Sequence, residues 1–79
     1  MIRGWRKRGR MISRRFEFKT FASGIRFVDR VAKLADRAWH HPDIDIRYTS
    51  VTLSLTTHDE GRLTERDFDL ARRINRLRR

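Results

Sequence analysis

Between Thr20 and Pro42, apolar side chains recur at helical spacing as Phe21, Ile25, Val28, Val31, Ala32 and Ala35. Arg26, Asp29, Arg30, Lys33 and Arg37 fall on the other faces. Thr20 is placed to cap this segment, and Pro42, the only proline, denies His41 the helical conformation. The pattern predicts an amphipathic helix over about residues 21–38. A single apolar stripe cannot be buried alone, so the rest of the chain must supply a surface for it.

On both sides of that helix the period changes from 3.6 to two. Ile12, Phe16 and Phe18 alternate with Ser13, Arg15 and Glu17, which predicts a half-buried strand over Met11–Phe18. Arg8-Gly9-Arg10 reads as the turn joining it to a short strand at Trp5–Lys7. Further on, Ile44, Ile46 and Tyr48 alternate with Asp45 and Arg47, and Val51, Leu53 and Leu55 with Thr52, Ser54 and Thr56. These two runs predict a second hairpin across Thr49-Ser50. His58 to Arg62 is a loop with Gly61 as its turn residue. Thr64 then starts a last helix, with Asp67 at the third helical position of a capping box and Leu63 and Phe68 as a hydrophobic staple. Phe68, Ala71, Ile74 and Leu77 carry its apolar stripe. The expected fold is α+β, in the order β-β-α-β-β-α. A four-stranded antiparallel sheet carries two main helices packed on one face.

With 79 residues the chain is one domain, 1–79, with no room for a second. A domain of this size buries only roughly 60–65% of its unfolded surface, so a partner subunit is expected to support it. Cysteine is absent, which excludes disulfides, thiolate metal sites and Cys nucleophiles and fits a cytoplasmic protein. No run approaches the roughly 18 apolar residues of a membrane helix. The Arg-rich, acid-free start has the composition of a mitochondrial transit peptide, but the strand-like alternation of Ile12, Phe16 and Phe18 argues against that reading.

The net charge of +10 is concentrated at the ends. Residues 1–15 hold seven basic side chains and no acid, and residues 72–79 hold five arginines and no acid. The body between them has eight basic and ten acidic residues. Two cationic segments on one side of the fold would form a docking surface for an acidic protein partner. Nucleic acid is the weaker reading. Trp5 could stack a base among the arginines, but no helix-turn-helix, zinc-finger or RNP-type pattern is present.

Three histidines, His40, His41 and His58, supply the side chains whose ordinary pKa lies closest to neutrality. His40 and His41 fall at the exit of the first helix and His58 at the exit of the last strand, so the rings can meet at one rim. The i, i+4 His pair of helical zinc sites is missing, and no metal is expected.

The spacing goes further than three histidines. Asp36, three residues, His40-His41-Pro42, five residues, Tyr48, nine residues, His58, eight residues and Asp67 together resemble the signature of the pterin-4a-carbinolamine dehydratases. Phe16-Glu17-Phe18-Lys19, Phe27-Val28-Asp29-Arg30-Val31-Ala32, Leu55-Thr56-Thr57-His58-Asp59 and Leu63-Thr64-Glu65-Arg66-Asp67 also look like family segments in register. The resemblance covers about residues 5–76, without the helix that usually precedes this region.

The resemblance implies dehydration of a 4a-hydroxytetrahydropterin to a quinonoid dihydropterin, with no cofactor. By position, it makes His40 and His58 the acid/base pair and His41 a substrate-binding residue. Asp67 and Asp36 would orient or polarise the imidazoles, and Pro42 would shape the binding site. Dimers or tetramers are implied too. Each residue also has a plainer explanation: Asp67 caps a helix, Asp36 is solvated, Pro42 ends a helix and Tyr48 fills the sheet, while Trp39 either walls a pocket or, the preferred reading, packs in the core. The family also contains non-catalytic binding proteins, among them carboxysome-associated factors that help Rubisco assemble. A chain with two basic ends could belong to that second kind.

Overall fold

A computed structural model describes residues 2–78. Its elements are β1 (Arg6–Arg8), β2 (Met11–Glu17), α1 (Phe21–Ala38), β3 (Asp43–Arg47), β4 (Ser50–Leu55) and α2 (Glu65–Arg76), with one short 3-10 turn at His58–Glu60. The four strands form one antiparallel sheet in the order β1-β2-β4-β3. Ile12 and Phe16 of β2 and Val51, Leu53 and Leu55 of β4 point to one face. Both helices cover it, α1 through Phe27 and Val31 and α2 through Leu70, Ala71 and Ile74, in one apolar cluster. The opposite face carries Ser13, Arg15, Glu17, Thr52 and Ser54 and lies open.

Local chemistry explains where the helices stop. Thr20 accepts from the Ser23 amide and opens α1. At the other end Trp39 adopts the left-handed conformation, with φ of 51°, and the amides of Trp39 and His40 close back on Asp36 and Ala35. That left-handed residue swings its own side chain outward. Trp39 is therefore 82% exposed, not packed in the core as the sequence suggested. In α2 the Thr64–Asp67 capping box forms as expected, and Leu63 and Phe68 lie half-buried against the core.

Two boundaries move by one residue. The β3–β4 turn is Tyr48-Thr49 rather than Thr49-Ser50, because Arg47 pairs with Ser50. Tyr48 therefore leaves the strand. It takes a φ of 50° and is 79% exposed instead of filling the sheet. The first strand starts at Arg6, and Trp5 precedes it, buried against Phe16 with the rings edge to face. Strand β3 is exposed along its whole length, Ile44 and Ile46 included. No helix among the described residues is long and apolar enough to cross a membrane.

Candidate active site

The C-terminus of α1 and the N-terminus of α2 meet, and the residues that end one and begin the other become partners. His40 follows the left-handed cap of α1, and its Nε2 lies 2.5 Å from Oδ1 of Asp67 in the first turn of α2. His40 is 7% exposed and Asp67 fully buried. The other carboxylate oxygen, Oδ2, accepts from the Thr57 hydroxyl and from the Thr64 amide, each at 2.9 Å.

The donors and acceptors close consistently. The Thr57 hydroxyl spends its only proton on Asp67, so across the 2.7 Å contact Thr64 donates to Thr57. Thr64 Oγ1 in turn accepts from the Arg66 amide. Two donors converge on Oδ2 of Asp67, the pattern of an ionised carboxylate. An ionised Asp67 must receive a proton from His40, which places the imidazole hydrogen on Nε2 and leaves Nδ1 as the atom free to exchange one. No buried side-chain polar atom is left without a partner among the described residues.

A second His–Asp couple stands beside the first. His41 Nε2 lies 2.9 Å from Asp36 Oδ1, and both side chains are more than half exposed. Surface pairs of this kind hold geometry weakly, since solvent competes for both groups. Pro42 follows, half-buried, at the entrance to β3. His58 is exposed at the start of the 3-10 turn, directly after Thr57, so the residue that grips Asp67 also brings His58 to this end of the molecule.

His40 opens onto a cleft of about 290 Å³ walled by Arg37, Arg66, Asp69, Leu70 and Arg73. Arg66 reaches across it to the Trp39 carbonyl at 3.0 Å. A larger groove of about 860 Å³ lies elsewhere and shares no lining residue with this cleft. The smaller cleft is the better candidate for chemistry, because it alone presents a buried titratable ring on a fixed carboxylate.

The expected residues thus form two couples, His40–Asp67 and Asp36–His41, with His58 exposed nearby and hydrogen-bonded to neither. The sequence reading missed Thr57, Arg37, Arg66 and Arg73. Only Thr57 left a trace, as a hydroxyl at a strand exit next to a histidine. No group of three or more His, Cys, Asp or Glu side chains that could hold a metal occurs among the described residues.

Residues 1–77 match the family profile described as pterin 4 alpha carbinolamine dehydratase. A Roseiflexus protein provisionally named pterin-4-alpha-carbinolamine dehydratase is 54% identical over 76 residues, covering 96% of this chain and 82% of its own. A Sulfolobus acidocaldarius protein with the same provisional name is 41% identical over 76 residues, covering 96% of this chain and 84% of its own.

Among solved structures, a transcriptional coactivator/pterin dehydratase from Brucella melitensis superposes with a TM-score of 0.89 at 36% identity. The match covers 94% of this chain and 81% of that one. A pterin dehydratase-like protein identified as a RuBisCO assembly factor of the alpha-carboxysome superposes at 0.80 with 30% identity, covering 94% of this chain and 88% of that one. With a family match over residues 1–77 and a relative 54% identical across 96% of the chain, this protein is a member of the pterin-4-alpha-carbinolamine dehydratase family, a family of hydro-lyases.

Proposed function

We propose that the protein dehydrates a 4a-hydroxytetrahydropterin to the quinonoid dihydropterin. The observation that carries this reading is the buried His40–Asp67 couple, held by two further donors and open to a cleft. In the reaction the C4a–O bond breaks, one proton joins the departing hydroxide to form water, and one proton leaves a ring nitrogen. A base and an acid are both needed, and imidazoles suit each role.

His40 is the base: Nδ1 takes the ring proton while Asp67 stabilises the imidazolium through Nε2. His58, exposed at the 3-10 turn, is the acid that delivers a proton to the leaving oxygen. His41, paired with Asp36, binds the pterin, and Pro42 sets where the chain turns beside it. No cofactor is required by this scheme. A chain free of cysteine suits the cytoplasm, which fractionation of the source cells would test.

The direct test is the dehydration rate of a synthetic 4a-hydroxytetrahydropterin with the purified protein. Acceleration over the uncatalysed rate is expected, and His58→Ala should reduce it by about 10²-fold or more. Absence of acceleration in the unaltered protein would remove this reading.

The chain acts as a homodimer or homotetramer on the same reading. Support comes from β3, an edge strand whose Ile44 and Ile46 are 39% and 37% exposed although they share a face with the buried Leu53 and Val51. An edge of that composition invites pairing. Light scattering at micromolar concentration is expected to give a mass of two or four chains, and a monomer would refute it.

A second reading, a non-catalytic assembly protein, is favoured by one observation, the likeness to the RuBisCO assembly factor. The dehydration assay separates the two.

A further inference from the structure

The cleft in front of His40 carries more positive charge than a neutral substrate requires. Arg37, Arg66 and Arg73 stand in its wall against one carboxylate, Asp69. Arg37 comes from the last turn of α1 and the other two from α2, so both helices bring cations to it. Leu70, buried, and Ala38, half-buried, supply the apolar surface.

The three guanidiniums differ in what already holds them. Arg73 lies 3.3 Å from Asp69, four residues before it on the same helix. Arg66 donates to the Trp39 carbonyl at 3.0 Å and stands 3.8 Å from Asp59, which ties it across the cleft. Arg37 has no ion pair and no side-chain hydrogen bond among the described residues, since its chain neighbour Asp36 is turned to His41. Asp67 cannot serve it either, because His40, Thr57 and Thr64 occupy that carboxylate. A guanidinium left over at the wall of a small cleft attracts an anion more strongly than one on an open face, since low-dielectric walls focus its field.

Size narrows what that anion can belong to. The cleft holds about 290 Å³, at the bottom of the roughly 300–1,000 Å³ span of small-molecule sites. A bicyclic ring with a short substituent fits such a space, and a long tail would have to leave into solvent. The reduced pterin ring is itself uncharged at neutral pH, so its carbonyl oxygen can engage one arginine without neutralising it. Arginine forks match carboxylates and phosphates in shape as well as charge.

We propose that Arg37, assisted by Arg73, makes the site selective for a 4a-hydroxytetrahydropterin whose short C6 substituent ends in an anion, a carboxylate or a phosphate monoester. The inference rests on the dehydratase reading and adds the substrate class to it. Arg37 takes the anion directly. Arg73 turns to it from Asp69 at little cost, because a surface i, i+4 pair is held only weakly.

The test compares dehydration of three synthetic 4a-hydroxytetrahydropterins bearing, at C6, a hydroxymethyl group, its phosphate ester or a carboxylate. At low salt, kcat/KM for at least one anionic substrate should exceed that of the neutral one by about tenfold or more, chiefly through KM, and the ratio should shrink as salt rises. The better of the two anionic substrates identifies the group. Arg37→Gln should bring the ratio close to one, whereas Arg37→Lys, which keeps the charge, should retain most of it. Should Arg37→Gln not fold, Arg73→Gln must lower the ratio. A ratio near one in the unaltered protein, or an unchanged ratio in a folded glutamine variant, overturns the proposal and leaves the dehydratase reading standing. If no substrate is dehydrated, that reading falls, and binding of the fluorescent oxidised pterins tests the proposal alone. The 6-carboxylate must then bind at least about tenfold more tightly than 6-hydroxymethylpterin, and equal affinity overturns the proposal.

Discussion

Asp67→Ala should unfold the protein about 20 °C below the unaltered chain and abolish activity in what remains folded. The carboxylate serves three donors at once, and its loss strands the His40 ring, the Thr57 hydroxyl and the Thr64 amide around a fully buried position. A buried donor left unsatisfied costs about 1–3 kcal/mol, and two or three of them together cost roughly 3–5 kcal/mol. Domains of this size shift by about 4–8 °C per kcal/mol, and their whole stability is only about 5–15 kcal/mol. Thermal melting followed by circular dichroism measures the effect. A shift below about 5 °C would show that the buried network contributes little to the fold.

The milder Asp67→Asn separates capping from catalysis. An amide retains the volume but presents one acceptor and one donor where the carboxylate had two acceptors. With its oxygen kept on Thr57 and Thr64, its NH₂ faces His40 Nε2 and forces the ring proton onto Nδ1. That tautomer cannot take a proton from substrate at Nδ1. The variant should fold and still lose activity, as happens when the orienting carboxylate of other His–Asp couples becomes an amide.

His40→Gln carries the second large effect, on rate alone. Glutamine can still offer an N–H toward Asp67, so the buried carboxylate retains a donor and the melting temperature should move by only a few degrees. It cannot exchange a proton at neutral pH. Dehydration should fall by about 10²- to 10⁴-fold, the usual contribution of a positioned acid or base. The falling term should be kcat more than KM, because the lost interaction is made in the transition state. Retention of more than a tenth of the rate would move the base away from His40.

How much of this was legible in the sequence follows from the range of each interaction. The boundaries of α1 match the spacing of Phe21 to Ala35 and the stop at Pro42, because caps and periodicity act within a few residues. The Thr64–Asp67 capping box was legible for the same reason. Trp39 and Tyr48 were misplaced because both adopt the left-handed conformation, in which strand or helix alternation no longer says where a side chain points. Arg14 broke the apolar alternation of β2 and should have stood out, since a cation at an inward position needs a reason.

The couples were partly legible. Asp36 and His41 lie five residues apart, and one helix exit brings them together. His40 and Asp67 are 27 residues apart, and Thr57 is ten from Asp67. No local rule connects them, although the family spacing pointed to the first two.

The sequence by itself determined the order of elements, both helix caps, the α+β class and the signature positions, all of which depend on short-range sterics and hydrogen bonds. Only the tertiary structure decided that Asp67 is at once a cap and the partner of a buried imidazole, and that Arg3 and Arg14 of the N-terminal segment meet Asn75 of α2. The physical reason is the same for both. Burial and charge compensation are summed over side chains distant in sequence, and their totals exist only after the sheet and its two helices have closed on one another.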